Sequence, residues 1–139
     1  MIVLDTSGLL AALLPSQREH PRARDLLRAE APPLALSPFV LAEIDYFLAR
    51  WAGIEFELAL LEDVAGGAYE LVRFDSADVA AARGLIDRYR ALNIGLADAS
   101  VVILAEKLGT TRVLTLDERH FRTLQTPAGD SLTLLPADA

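Results

Sequence analysis

Apolar positions along this chain follow two rhythms. Short, nearly continuous apolar runs fall at residues 1–5, 34–36, 69–74, 112–116 and 132–135, each bounded by Pro, Gly or polar residues. Such runs predict short, buried strands. Between them, apolar residues recur three and four positions apart, which predicts helices over about 9–14, 16–29, 37–51, 54–64, 75–92, 94–108 and 120–124. Ser16, Ser37 and Asp75 stand where a helix needs a cap, Pro38 suits a first turn, and Gly53, Gly66-Gly67 and Gly109 follow predicted helix ends. Strands alternating with helices predict an α/β domain with a mainly parallel central sheet covered on both faces. One domain over 1–135 is expected, with 136–139 as a short flexible tail.

Composition narrows the chemistry. The chain has 139 residues, 53% hydrophobic and 24% charged, which suits a single well-buried core. It has no cysteine, which excludes disulfides, thiolate nucleophiles and Cys-based zinc sites. No apolar run approaches the ~20 residues of a membrane span, and no basic leader precedes the first one, so a cytoplasmic protein is expected. The net charge of −7 argues against a protein that coats nucleic acid nonspecifically. It leaves room for a nuclease, because a bound divalent cation reverses the local potential. The basic residues are twelve Arg and the single Lys107. Arg suits bidentate phosphate contacts, although such a bias also arises from genome composition.

Four acids interrupt or terminate the apolar pattern. Asp5 closes the first strand, Asp117 follows Val113-Leu114-Thr115-Leu116, and Glu43 and Asp98 sit inside apolar helical stretches. Phe39, Val40, Tyr46 and Phe47 surround Glu43 at helical spacing, and Ile94, Val101 and Val102 surround Asp98, which predicts core-facing carboxylates. An unpaired buried carboxylate is costly, and no Arg or Lys lies within four residues of Asp98. Helix capping by Asp5 or Asp117, or long-range pairing of Glu43 or Asp98 with Arg, explains each acid singly. Together they call for a shared cation with oxygen ligands, Mg²⁺ or Mn²⁺.

Asp5-Thr6-Ser7 after a strand, Glu43 in a helix opening with Ser37-Pro38, Asp98-Ala99, and Thr115-Leu116-Asp117 with Phe121 resemble the PIN-domain ribonucleases, and among them the VapC-type toxins of bacterial toxin–antitoxin modules. The resemblance implies a PIN-like three-layer α/β/α domain and metal-dependent hydrolysis of RNA. Water attack would leave a 5′-phosphate and a 3′-hydroxyl, without use of the 2′-OH. Asp5, Glu43, Asp98 and Asp117 would be the catalytic metal ligands, with Asp117 the most peripheral. Thr6, Ser7 and Thr115 would orient ligands or touch phosphate, while Thr6 and Ser7 also serve as helix-capping residues. A VapB-like antitoxin and a homodimer are the implied partners. The helix over 9–14 and the region of Phe47 and Trp51 are the expected antitoxin-docking surfaces.

Other residues read more plainly. His120 reads as a surface histidine near the site rather than a general acid, and His20 as solvated. Arg88, Arg90, Arg112, Arg119 and Arg122 are candidates for guiding an RNA backbone. Phe39, Tyr46, Phe47 and Trp51 read as core or dimer contacts. A phosphoacceptor receiver would need a lysine at a late strand end, which Lys107 does not supply. A haloacid-dehalogenase-like phosphatase would need a second Asp where Ser7 stands. A housekeeping PIN nuclease and a noncatalytic α/β interaction module complete the alternatives.

Overall fold

The computed structural model describes all 139 residues. Its sheet has five strands: β1 (Ile2–Leu4), β2 (Leu34–Leu36), β3 (Glu70–Leu71), β4 (Arg112–Leu114) and β5 (Thr133–Leu135). Their order is β3-β2-β1-β4-β5, and every pair is parallel. Seven α-helices connect them: α1 (Thr6–Leu13), α2 (His20–Ala29), α3 (Pro38–Trp51), α4 (Ile54–Ala65), α5 (Ser76–Arg88), α6 (Leu96–Leu108) and α7 (Glu118–Phe121). Ile2, Val3, Leu4, Val113 and Leu114 are fully buried, because helices cover both faces of the sheet. The α/β architecture expected from the alternation is therefore the one observed, with a sheet that is wholly parallel. No helix is long and apolar enough to cross a membrane.

Several boundaries move for local reasons. The first helix starts at Thr6, because Gly8 seats it directly on β4: a Cβ there would lie 2.3 Å from the Leu114 carbonyl oxygen. The second starts at His20, with Pro21 in its first turn, rather than at Ser16. The expected strand over 69–74 shrinks to two residues at the sheet edge. The helix expected to reach 92 stops at Arg88 and passes through a single 3-10 turn to Asn93, whose φ of 53° ends it. The tail read as flexible over 136–139 folds back instead. Asp138 accepts from the Leu134 amide at 2.7 Å and binds Arg122 through both carboxylate oxygens. His20, read as solvated, places Nδ1 2.8 Å from the Ala11 carbonyl and ties α2 to α1.

The strand order places β1 between β2 and β4, so connections leave it in opposite directions. Ligand sites in open α/β sheets form at such a switch, beyond the carboxyl ends of the strands. Here α1, α3, α6 and α7 all begin along that edge. Their N-termini present partial positive charge there, which favours anions in their first turns.

Candidate metal centre

Asp5 is the anchor of the site. It follows β1, is only 3% exposed, and stands at the start of α1 without using its side chain to cap that helix. Instead Oδ2 accepts from Ser7 Oγ at 2.8 Å and from Thr115 Oγ1 at 2.7 Å. Each hydroxyl has one proton and gives it to Asp5, so the 3.1 Å approach of Ser7 Oγ to Thr115 Oγ1 is a contact rather than a third bond. The hydroxyls in turn accept from the chain beyond β4: Leu116 N donates to Ser7 Oγ at 2.9 Å and Asp117 N to Thr115 Oγ1 at 3.0 Å. The segment 115–117 and the start of α1 are thereby fixed around one carboxylate. Burial pushes the Asp5 carboxyl up to about 6 against the pull of Thr115 and Ser7, and Asp98 raises it further.

Asp98 lies in the first turn of α6, half-buried. Burial raises its carboxyl above the usual range; His120 opposes the shift, Asp117 and Glu43 add to it, and the Gly95 amide opposes it. These mutual influences link all four acids into one electrostatic unit, with Asp98 as its hub. Helix α3 packs on α6, and a buried hydroxyl pair fixes their relation. Ser37 Oγ lies 2.6 Å from Ser100 Oγ, Ser100 donates to the Ala97 carbonyl, and Ser37 accepts from the Phe39 amide. That arrangement sets Glu43 and Asp98 in register with each other. Ser100 escaped the sequence reading although it is a polar break in an apolar helix two residues after Asp98.

Glu43 is where expectation and structure part. It was expected to face the core, but it is exposed. The buried stripe of α3 is Val40, Ile44 and Leu48, spaced by four, and Glu43 stands about 100° from Ile44 around the helix. Tyr46, one of the neighbours that suggested burial, is itself 57% exposed. Glu43 thus stands at the solvent margin of the site. Asp117 both caps and faces inward: Oδ1 accepts from the His120 amide at 3.1 Å, while Oδ2 lies 3.0 Å from His120 Nδ1.

The donor chemistry fits a hard divalent cation. Four carboxylates share one edge, and none makes an ion pair with Arg or Lys. Two polar atoms there, Thr6 Oγ1 and His120 Nδ1, are buried without a hydrogen-bond partner. No three acidic or imidazole groups are drawn into a closed coordination shell as they stand. A carboxylate pair at ~4 Å and an effective dielectric of ~20 repels by roughly 4 kcal/mol, which a shared cation would offset. No hollow of the surface is lined by any of the four acids.

The candidate arginines separate by position. Arg112 begins β4, at the far end of the sheet from the acids, and binds Glu30 there. Arg122 is engaged by Glu118 and Asp138, Arg90 by Asp87, and Arg88 lies over the Tyr89 ring. Arg119, on α7 beside Asp117 and His120, is exposed and makes no ion pair. Among the aromatics, Phe39 meets Phe74 edge-on and Phe47 stacks on Trp51, but Tyr46 and Trp51 are exposed rather than core.

Residues 2–125 match the family model of the PIN domain. Ribonuclease VapC26 of Mycobacterium tuberculosis is 38% identical over 135 residues, which cover 97% of this chain and all of that protein. Among solved structures, VapC20 of Mycobacterium tuberculosis, described as a sarcin–ricin loop cleaving toxin, superposes with a TM-score of 0.78 at 20% identity, covering 84% of this chain and 90% of that one. A toxin–antitoxin complex from Klebsiella pneumoniae gives 0.69 at 17% identity, covering 91% and 94%. These two likenesses speak for the fold. With a family model over most of its length and a relative aligned nearly end to end, the chain belongs to the PIN-domain family, among its VapC-type members.

Proposed function

We propose that the chain is a divalent-metal-dependent endoribonuclease and the toxin of a type II toxin–antitoxin pair. The observation that carries the reading is Asp5: a buried carboxylate held by Ser7 and Thr115, facing Asp98, with no Arg or Lys paired to either. Ribonuclease activity is what the name of the 38% identical relative states for that protein, and it supports the same chemistry here. Asp5, Asp98 and Asp117 would hold Mg²⁺ or Mn²⁺, with Glu43 reaching in from the exposed margin. When bound, the cation supplies Lewis acidity and a water of lowered pKa.

The remaining work falls to the chain's own residues. Ser7 and Thr115 donate to one oxygen of Asp5 and so fix the orientation of its carboxylate. The Gly95 amide and the Ser37–Ser100 pair hold the first turn of α6, and with it Asp98. The Thr6 hydroxyl, at the start of α1, is buried without a partner, so it is shielded from a ligand as the structure stands. The Arg119 guanidinium, on the same edge, supplies a cation for the RNA backbone.

The complex from Klebsiella pneumoniae is described as a toxin–antitoxin pair, which supports an antitoxin partner here. The helix α1, one of two surfaces expected to receive it, is unsuited because Leu9 and Leu10 are buried in the core. The face of α3 and α4 remains, where Tyr46, Trp51, Ile54, Leu58 and Leu61 are all exposed. A homodimer over part of the same face is the alternative occupant.

Metal-titrated cleavage of RNA tests the enzymatic reading. Chelation should abolish cleavage, Mg²⁺ or Mn²⁺ should restore it, and added metal should raise the melting temperature by relieving carboxylate repulsion. Undiminished cleavage in excess chelator would sink it. Expression of the chain alone should arrest growth, with rescue by a small partner encoded beside it; harmless expression of active protein would remove the toxin role.

A further inference from the structure

We propose that His120 is a ligand of this same centre, bound through Nδ1, and that it biases the site toward Mn²⁺ over Mg²⁺. The inference rests on the metal reading above. The starting point is an unsatisfied atom. Nδ1 of His120 is buried and has no hydrogen-bond partner. Yet it lies 3.0 Å from Asp117 Oδ2 and 3.4 Å from Asp98 Oδ2. Both oxygens are within reach, and neither is aligned for a hydrogen bond. Buried ring nitrogens are normally satisfied, so this one calls for another partner. His20 shows the ordinary case in the same chain, with Nδ1 2.8 Å from the Ala11 carbonyl.

The spacing suits shared ligation. Donors bound about 2.1 Å from a metal, on adjacent corners of an octahedron, stand roughly 3.0 Å from one another. Nδ1 stands near that distance from each of two carboxylate oxygens, at 3.0 and 3.4 Å, although the three groups do not form a closed set as they stand. Local structure also commits the ring. Asp117 caps α7 by accepting the His120 amide on Oδ1, which leaves Oδ2 beside the imidazole one turn later. A two-carboxylate, one-imidazole set differs in kind from an all-oxygen one. Mg²⁺ prefers oxygen and keeps its waters; Mn²⁺ also takes oxygen ligands, but as a first-row transition ion it accepts an imidazole nitrogen more readily than Mg²⁺ does, and later ions of the series more readily still.

Pulsed electron paramagnetic resonance of the Mn²⁺-loaded full chain tests this directly. Imidazole-nitrogen modulation should appear in the wild type, change on incorporation of heavy-nitrogen histidine, persist in His20→Gln and vanish in His120→Asn. Asparagine places an oxygen near the position of Nδ1, so Mg²⁺ affinity should change little, while Mn²⁺ affinity should fall by about 10-fold or more. Bound Mn²⁺ without nitrogen modulation in the wild type would overturn the proposal and needs no folded variant. So would modulation that survives in His120→Asn, or equal losses of Mg²⁺ and Mn²⁺ affinity. If Mn²⁺ stayed wholly free, with the spectrum of the aqueous ion, the metal reading itself would fail and this one with it.

Discussion

The two ends of the β-sheet treat charge in opposite ways. At the amino ends of the strands, Arg112 grips both carboxylate oxygens of Glu30, and the Met1 ammonium lies 4.0 Å from the same group. At the carboxyl ends, Asp5, Asp98, Asp117 and Glu43 gather with no Arg or Lys among them. Three residues of strand, about 10 Å, separate the two edges. The fold can therefore neutralise a carboxylate where only stability is at stake. At the other edge it supplies hydroxyls, helix N-termini and one imidazole, and no Arg or Lys pairs with the acids there. Charge left uncompensated by the protein is charge available to a cation.

The largest expected effect comes from removing charge at the acid edge. Asp98→Asn should cut RNA cleavage at least about 100-fold, because it takes away several kcal/mol of cation-centred transition-state stabilisation. The same change should leave the melting temperature unchanged or raise it, since Asp98 is the carboxylate on which the influences of the other acids converge. Asp117→Asn should lose less activity, because its amide can still cap α7. Comparing single-turnover rates with melting curves checks both halves. Wild-type turnover in Asp98→Asn would mean that the acids had been given the wrong role.

The pH dependence of stability sharpens the contrast. Burial raises the Asp5 carboxyl to about 6 from 3.8, so between these values the folded chain holds a proton that the unfolded chain has lost. Stability from this group is therefore complete below the unfolded value and is lost as pH rises through the folded one. A shift of about two units corresponds to about 3 kcal/mol, all of it gone above pH ~7 in metal-free protein. Asp138 runs the other way: Arg122 and the Leu134 amide hold it to about 2, so its contribution appears above 3.8 and fades only in stronger acid. Denaturant melts across this range, without metal, should show Asp5→Asn flattening the fall between pH ~4 and ~7. A parallel curve for Asp5→Asn would place the titration elsewhere.

What was legible in the sequence follows the same division. The strands that alternate with helices, and the acids at the ends of β1 and β4, could be read because burial leaves an apolar run and a terminating carboxylate breaks it. Glu43 was recognised as a site residue but misplaced in depth, since Phe39, Tyr46 and Phe47 looked like core neighbours while the stripe that buries is Val40, Ile44 and Leu48. Partners distant in the chain left no local trace. Ser7 and Thr115 meet across 108 residues and Ser37 and Ser100 across 63, so their pairing depends on topology. Nothing local marks Gly8, although its missing Cβ is what lets α1 lie on the Leu114 carbonyl. His120 was set aside because nothing near it in sequence predicted that its ring would enter between Asp98 and Asp117.

The smallest expected effect lies at the opposite edge and tests whether the two ends are independent. Glu30 is 10% exposed but Arg112 is 40% exposed, so solvent screens much of their attraction. Glu30→Gln should cost about 1 kcal/mol, more than a fully exposed pair and less than a buried one. The melting temperature should fall by several degrees, since about 1 kcal/mol moves a domain of this size by roughly 3–5 °C. Cleavage measured well below that temperature should stay within about two-fold of wild type, because an error of 1.4 kcal/mol in the barrier would already be ten-fold. β4 is one covalent route from this pair to the acid edge: Arg112 opens the strand and Thr115 follows its end, donating to Asp5. If Glu30→Gln lowered turnover as far as a change at Thr115 does, β4 would be transmitting strain from its paired end to its unpaired one. The separation of roles along the sheet would then be a matter of degree.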